Sequence, residues 1–105
     1  TETVTNLLTI RSYAQARGVS VIVQGTQPRD LPDAQRALLP QIDEQLAAAL
    51  GPCFVNVRSL LAGSDGRIKP IYNSGDGVHV NDAGHQIIFS QFKAVLDTGA
   101  CVRAN

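Results

Sequence analysis

The chain has 105 residues, 44 % of them hydrophobic, which suffices for one domain with a modest core or for one piece of a larger domain. Nine basic and nine acidic residues cancel, and lysine and arginine form no cluster, so the charge pattern of a nucleic-acid binder or of a protein on an anionic membrane is excluded. No apolar run approaches the roughly 18 residues that a membrane span requires.

A helix followed by a strand is predicted at the start of the chain. Apolar residues at helical spacing, including Val4, Leu7 and Leu8, predict a helix with Gly18 as its C-terminal cap. The segment 19–25, VSVIVQG, follows directly. It is rich in β-branched residues and apolar on both faces, which is typical of a buried parallel strand.

The same order is repeated in the middle of the chain, after a loop that contains prolines. A helical stretch is expected from Asp33, as its N-cap, to Gly51. Pro40 should kink or divide it, because proline has no backbone N–H to donate. The segment 53–57, CFVNV, then predicts a second short buried strand, and residues 62–75 are dense in turn formers and predict a long loop.

The last helix is predicted to run from an N-cap at Asn81 or Asp82 to Gly99. Its buried face is expected to contain Ile88, Phe92, Val95 and Leu96. The alternation of helices and strands favours parallel βαβ units and therefore a three-layer α/β/α fold with a parallel sheet. Because a stable sheet usually has three or more strands, two strands indicate either the second part of a larger α/β domain or a chain that pairs with another copy.

The two cysteines, Cys53 and Cys101, have neither zinc-ribbon nor C-x-x-C spacing. They could form one disulfide that pins the C-terminal tail, which would favour a secreted or periplasmic protein, or they could be two free thiols in a reducing cytosol. The polar tail around Cys101 gives a free thiol little to pack against, which favours the disulfide.

Polar residues that could carry chemistry follow both predicted strands, where ligands bind in open parallel sheets. Gln27 and Arg29 follow the first strand and are candidate substrate-binding residues. In the loop after the second strand, Asp76 and His79 are three residues apart, and two neighbouring glycines let the backbone bend. A carboxylate at this spacing can orient an imidazole for nucleophilic catalysis; a histidine packed at a surface turn is the alternative.

Two segments resemble a known enzyme family. GDGVHVNDAGHQIIF, residues 75–89, is similar to the last conserved block of the SGNH hydrolases, also called GDSL-type esterases and lipases. VIVQGTQPR, residues 21–29, is similar to the strand and substrate-side loop that precede this block. Over residues 19–97 the resemblance implies a flavodoxin-like fold and a serine-type ester hydrolase without a cofactor. It assigns the triad acid to Asp76 and the general base to His79.

The other conserved blocks of that family are absent from the sequence. They carry a nucleophilic serine in a Gly-Asp-Ser block and the glycine and asparagine of the oxyanion hole. The resemblance therefore implies that residues 1–105 are the C-terminal half of one hydrolase domain. Its partners would be the N-terminal half, removed or carried on another chain, and a small ester substrate.

Two other functions remain open. Carboxylates and imidazoles recur every three residues and suit zinc or another transition metal, which indicates a metal site at Asp76, His79, Asp82 and His85. The chain could also be a non-catalytic α/β module that binds a partner. If there is no metal site, His85 is expected at the helix surface. Tyr72 and Phe89 are expected to pack in the fold.

Overall fold

A computed structural model describes the backbone of residues 1–104 and the side chains of residues 1–102. Two short 3-10 turns, Gly51–Cys53 and Pro70–Tyr72, lie among the regular elements. The helices and strands of the described residues are α1 Glu2–Gln15, β1 Val23–Gln24, α2 Asp33–Arg36, α3 Leu38–Leu50, β2 Phe54–Val55, α4 Arg58–Leu61, α5 Asp82–Thr98 and α6 Ala100–Ala104. None of these helices is both long and apolar enough to cross a membrane.

The two strands pair in parallel, as predicted, with Val23 opposite Phe54 and Gln24 opposite Val55. Both strands are shorter than the predicted segments 19–25 and 53–57. Regular strand structure requires hydrogen bonds to a neighbouring strand, and the described residues contain no third strand beside β1 and β2. The chain is thus a helix-rich α/β structure with a small parallel sheet, compatible with part of an α/β fold.

The core of the described residues consists of two clusters. Burial of one leucine in such a core stabilises the fold by about 2 kcal/mol. The first cluster joins α1, α3, β1 and α6 through Val4, Val23, Leu46, Leu50, Cys53 and Cys101. The second joins β2, α4 and the following loop through Val55, Val57, Leu61, Ile68 and Val80. Helix α5 and Tyr72 pack against the second cluster, which confirms the packing role expected of Tyr72.

The predicted ends of the last helix are confirmed. Asn81 is the N-cap of α5, and its side chain accepts a hydrogen bond from the Gly84 amide at 3.0 Å. Gly99 follows the helix with a φ of +68°, a left-handed conformation that glycine adopts at low cost. Gly51 likewise ends α3.

The predicted C-terminal cap of α1 is confirmed. The regular helix ends at Gln15, and Gly18, with a φ of +76°, is the left-handed glycine of the turn that closes it. The Gly18 amide donates to the Gln15 carbonyl and the Val19 amide to the Ala14 carbonyl, both at 3.0 Å, which is the hydrogen-bond pattern of a Schellman cap.

The helical stretch after Asp33 is divided, as predicted from Pro40, and the break lies at Ala37. Because Pro40 has no N–H to donate to the Arg36 carbonyl, the helical ladder cannot continue across this point. Asp33 is not the N-cap, since Pro32 holds that position. Asp33 is instead the first helical residue, where its carboxylate pairs with Arg36.

The apolar face of α5 differs from the prediction at two residues. Leu96 is 59 % exposed and Phe89 is 57 % exposed, although both were expected to pack in the fold. Phe89 and Leu96 are seven residues apart and therefore share one side of the helix, beside the half-buried stripe that contains Phe92. Helical periodicity identifies both apolar stripes, but only one of them faces the core that the described residues form.

The Cys53–Cys101 disulfide is formed, which confirms that pairing over two free thiols. It joins the 3-10 turn before β2 to α6 across a Cα–Cα distance of 4.7 Å, and both cysteines are buried. The segment that it closes contains β2, α4, the following loop and α5.

Candidate active site

The loop that carries Asp76 and His79 is a closed hairpin-like turn directly before α5. Asn73 and Val80 form an antiparallel bridge at its base. Within the turn, the Asn73 carboxamide oxygen accepts hydrogen bonds from the Gly75 and Gly77 amides at 2.8 and 3.1 Å. Both glycines have positive φ, +122° and +74°, so the sharp bend expected from them is confirmed.

Asp76 and His79 are hydrogen-bonded, with 2.6 Å between Asp76 Oδ2 and His79 Nδ1. The other carboxylate oxygen, Oδ1, accepts from the Val78 and His79 amides, both at 2.8 Å, and from the Ser74 hydroxyl at 3.1 Å. These bonds, the His79 amide foremost, hold the pKa of Asp76 well below its usual range. Asp76 is therefore ionised at neutral pH and fixes the proton of His79 on Nδ1.

This arrangement leaves the other ring nitrogen of His79, Nε2, with a lone pair that can accept a proton. The His79 side chain is 76 % exposed. Among the described residues no hydrogen bond joins a serine hydroxyl to this ring, and Ser74, in the same loop, donates to Asp76. The pair is thus an imidazole oriented by a carboxylate, with its ring open to solvent.

The loop after β1 is hydrogen-bonded to the loop that carries Asp76 and His79. The Gln27 side chain donates from Nε2 to the Val78 carbonyl at 2.8 Å, and the Asp30 amide donates to the Gly77 carbonyl at 2.8 Å. The sequence-predicted residues Gln27, Asp76 and His79 are therefore brought together, while Arg29 lies exposed on the same loop.

A buried carboxylate that the sequence did not reveal anchors this supporting loop. Asp43, on α3, accepts from the Thr26 amide at 2.7 Å and from the Thr26 hydroxyl at 3.0 Å. Arg58 donates from Nε to the same carboxylate at 3.0 Å, so the buried charge is paired. In sequence Asp43 resembles a solvated helix residue, and no local pattern identifies it. Asn73 was also missed, although asparagine before Ser-Gly is typical of an Asx turn.

A cavity of about 420 Å³ adjoins the Asp76–His79 loop at Gly77. Two carboxylates and two cations line it together with polar loop residues, among them Asp30, Asp65, Arg67, Lys69 and Asn73. Arg67 is paired with Asp30, with 2.9 Å between Nε and Oδ1. The cavity is large enough for part of a small ligand and has a polar lining.

The alternative of a metal site at Asp76, His79, Asp82 and His85 is contradicted by the structure. Within residues 1–102, whose side chains are described, no three histidine, cysteine or acidic side chains are grouped so that they could hold a metal ion. Asp82 and His85 lie on the first turn of α5, and both are exposed, as expected for His85 as a surface residue. The three-residue spacing does not bring four ligands together, because the chain changes from a turn to a helix between His79 and Asp82.

Two solved structures of similar proteins share this fold. The first is a protein of Bacteroides fragilis assigned as an acylhydrolase, with a TM-score of 0.78 and 23 % sequence identity over 92 % of this chain and 51 % of that protein. The second is a GDSL-like lipase of Bacteroides thetaiotaomicron, with a TM-score of 0.72 and 25 % identity over 92 % of this chain and 52 % of the lipase. The chain thus spans about half the length of each.

No family model and no curated protein matches the sequence. The likeness therefore lies in the fold, which the chain shares with about half of a GDSL-like hydrolase domain.

Proposed function

We propose that this chain, whose fold matches half of a GDSL-like lipase, supplies the Asp–His part of the active site of a serine-type ester hydrolase. The observation that carries the proposal is the 2.6 Å hydrogen bond between Asp76 and His79. It is made in a loop that follows β2 in the chain and that is hydrogen-bonded to the loop after β1. The resemblance of residues 75–89 to the last block of the SGNH hydrolases supports the same roles.

In the proposed reaction, His79 takes the proton of a serine hydroxyl through Nε2 as the serine attacks the ester carbonyl. It returns the proton to the leaving alcohol when the tetrahedral intermediate collapses. Asp76 stays ionised throughout, because its hydrogen bonds lower its pKa, and it stabilises the protonated imidazole. The proposed mechanism uses no cofactor.

The serine and the oxyanion-hole donors are proposed to come from a segment outside these 105 residues. The chain's own serines, none in a Gly-Asp-Ser block, are Ser12, Ser20, Ser59, Ser64, Ser74 and Ser90. The exposed apolar side of α5, Phe89 and Leu96, offers a surface that the missing half could cover. Because the solved relatives are about twice as long, we propose that this segment is the N-terminal half of the same domain, in the same polypeptide or as a partner.

The proposed substrate is a small ester. The cavity beside Gly77 and the exposed Arg29 are the proposed contacts for its polar groups. We further propose that the protein is secreted or periplasmic, because the Cys53–Cys101 disulfide persists in oxidising compartments.

The experiment is hydrolysis of p-nitrophenyl acetate by the complete protein, purified with any polypeptide that stays bound to this chain. We expect His79→Ala and Asp76→Asn each to lower kcat by on the order of 10⁴, as in other serine triads. The matched control is His85→Ala, which removes the chain's other histidine from an exposed position on α5 and should leave kcat unchanged. Near-normal activity of His79→Ala would refute the proposal.

A second candidate is a non-catalytic module that binds a partner, and the absence of a serine hydroxyl next to His79 among the described residues favours it. A serine-directed fluorophosphonate probe distinguishes the two. Labelling of the complete protein or of a co-purifying polypeptide, abolished by His79→Ala, supports the hydrolase. A complete protein that is never labelled favours the module.

A further inference from the structure

In the loop that carries Asp76 and His79, two successive peptide groups are hydrogen-bonded through both their carbonyl oxygen and their N–H. In the first, between Gly77 and Val78, the carbonyl accepts from the Asp30 amide at 2.8 Å and the N–H donates to Asp76 Oδ1 at 2.8 Å. In the second, between Val78 and His79, the carbonyl accepts from Gln27 Nε2 at 2.8 Å and the N–H donates to the same oxygen at 2.8 Å.

A peptide group is planar, and in the trans form its C=O and N–H point in opposite directions. Fixing the carbonyl therefore fixes the direction of the N–H. A donor on the carbonyl also polarises the peptide group, which strengthens the hydrogen bond that its N–H makes to the carboxylate. The loop after β1 is thus coupled to Asp76 through two peptide planes, without touching the carboxylate.

We propose that Gln27 is a positioning residue, which orients the Val78–His79 peptide so that its N–H holds Asp76 against His79. The catalytic meaning of this role rests on the function proposed above. It replaces the substrate contact that the sequence suggested for Gln27, since the side-chain amide is already engaged with the Val78 carbonyl.

The segment that carries Gln27 is itself held in place by hydrogen bonds to a buried carboxylate on α3. The adjacent residue, Thr26, donates two hydrogen bonds to the buried Asp43, which Arg58 neutralises. The backbone before it lies close against Phe54 and Asp43, since a Cβ on Gly25 would be 2.7 Å from the Phe54 ring and 2.8 Å from Asp43 Oδ1. Gln27 therefore extends from a rigid base, which a positioning residue requires.

The test is an NMR comparison of the complete protein with its Gln27→Met variant, which keeps the side-chain length and removes the donor. We expect the His79 amide proton to shift upfield and to exchange with solvent about tenfold faster, since one hydrogen bond to its peptide group is lost. The matched control is Gln41→Met, the same substitution at an exposed position on α3, which should leave the His79 amide unchanged. An unchanged His79 amide in folded Gln27→Met would overturn the proposal.

A second variant, Gln27→Glu, separates donation from bulk. At neutral pH the introduced carboxylate cannot donate to the Val78 carbonyl, so we expect the same loss as in Gln27→Met. Below a pH of about 4, the usual range for glutamate, the introduced group is protonated and can donate, while Asp76 stays ionised because its pKa is lowered. The His79 amide signal should then return toward its wild-type position at that pH. If the His79 amide signal of Gln27→Glu does not recover at low pH, the proposal that Gln27 acts as a hydrogen-bond donor is overturned.

Activity supplies an independent readout. In the complete hydrolase we expect Gln27→Met to lower kcat about tenfold with KM unchanged, whereas loss of a substrate contact would raise KM. The NMR result does not require activity. An altered His79 amide in a protein without esterase activity would support the positioning role and refute the proposed function. An unchanged His79 amide in an active esterase would refute the positioning role and leave the proposed function supported.

Discussion

Removal of the Cys53–Cys101 disulfide should cost a large part of the stability of this chain. The bond closes a segment of 48 residues, and in the chain-entropy model a loop of this length stabilises the fold by about 4 kcal/mol. Small domains have a total stability of about 5–15 kcal/mol. The free energy of unfolding should therefore fall by between about a quarter and most of its value, and α6 should be the first element to lose its packing.

The assay is urea unfolding of the oxidised wild type and of the double variant Cys53→Ala/Cys101→Ala. Because both sulfur atoms are buried, the variant also loses packing, which costs about 1 kcal/mol for each site. Unfolding of the wild type in reducing agent isolates the bond itself, and the double variant in reducing agent is the control that should not change. If reduction lowers wild-type stability by less than about 1 kcal/mol, where roughly 4 kcal/mol is expected, loop closure is not what holds the tail in place.

Two further predictions concern Asp76 and Gly84. The folded-state pKa of Asp76 lies below its usual value of about 3.9, so its ionised form stabilises the fold above that pH and the stabilisation is lost as the pH falls through the folded-state pKa. We expect Asp76→Asn to lower Tm at neutral pH and the difference from wild type to shrink below about pH 4; a difference independent of pH would contradict this. A Cβ on Gly84 would lie 2.5 Å from the Val80 Cβ, so Gly84→Ala should destabilise by about 1–3 kcal/mol in urea unfolding, despite the better helix propensity of alanine. Gly63→Ala, whose nearest contact would be 3.4 Å, is the control, and equal stabilities of the two variants would refute the steric argument.

The elements that could be predicted from the sequence are those whose limits depend on local chemistry. Asn81 and Gly99 set the ends of α5 by a side-chain cap and a left-handed glycine, and both act on their immediate neighbours. Strand length could not be predicted in this way, because it depends on hydrogen bonds to other strands. The exposure of Leu96 could not be predicted from the sequence either, since periodicity identifies an apolar stripe without showing which element covers it.

The same distinction applies to the candidate site. Asp76 and His79 are three residues apart, so their spacing and the glycines around them were visible in the sequence. The contact of Gln27 with the Val78 carbonyl spans 51 residues, and that of Asp43 with Thr26 spans 17. Such contacts depend on how segments that are distant in the sequence pack together, and no pattern within either segment indicates them.

Asp76 and His79 are only three residues apart in the chain, and this has a consequence for how the proposed hydrolase could be regulated. Since the two side chains are ordered by their own loop, the entropy of aligning them is lost when this chain folds and not when the nucleophile arrives. In the proposed hydrolase, the segment that carries the serine would then need only to place its hydroxyl beside the exposed His79 ring. At subsaturating concentrations of that segment, the rate of turnover would rise in proportion to the fraction of chains that have bound it. Association of the two parts would then regulate activity.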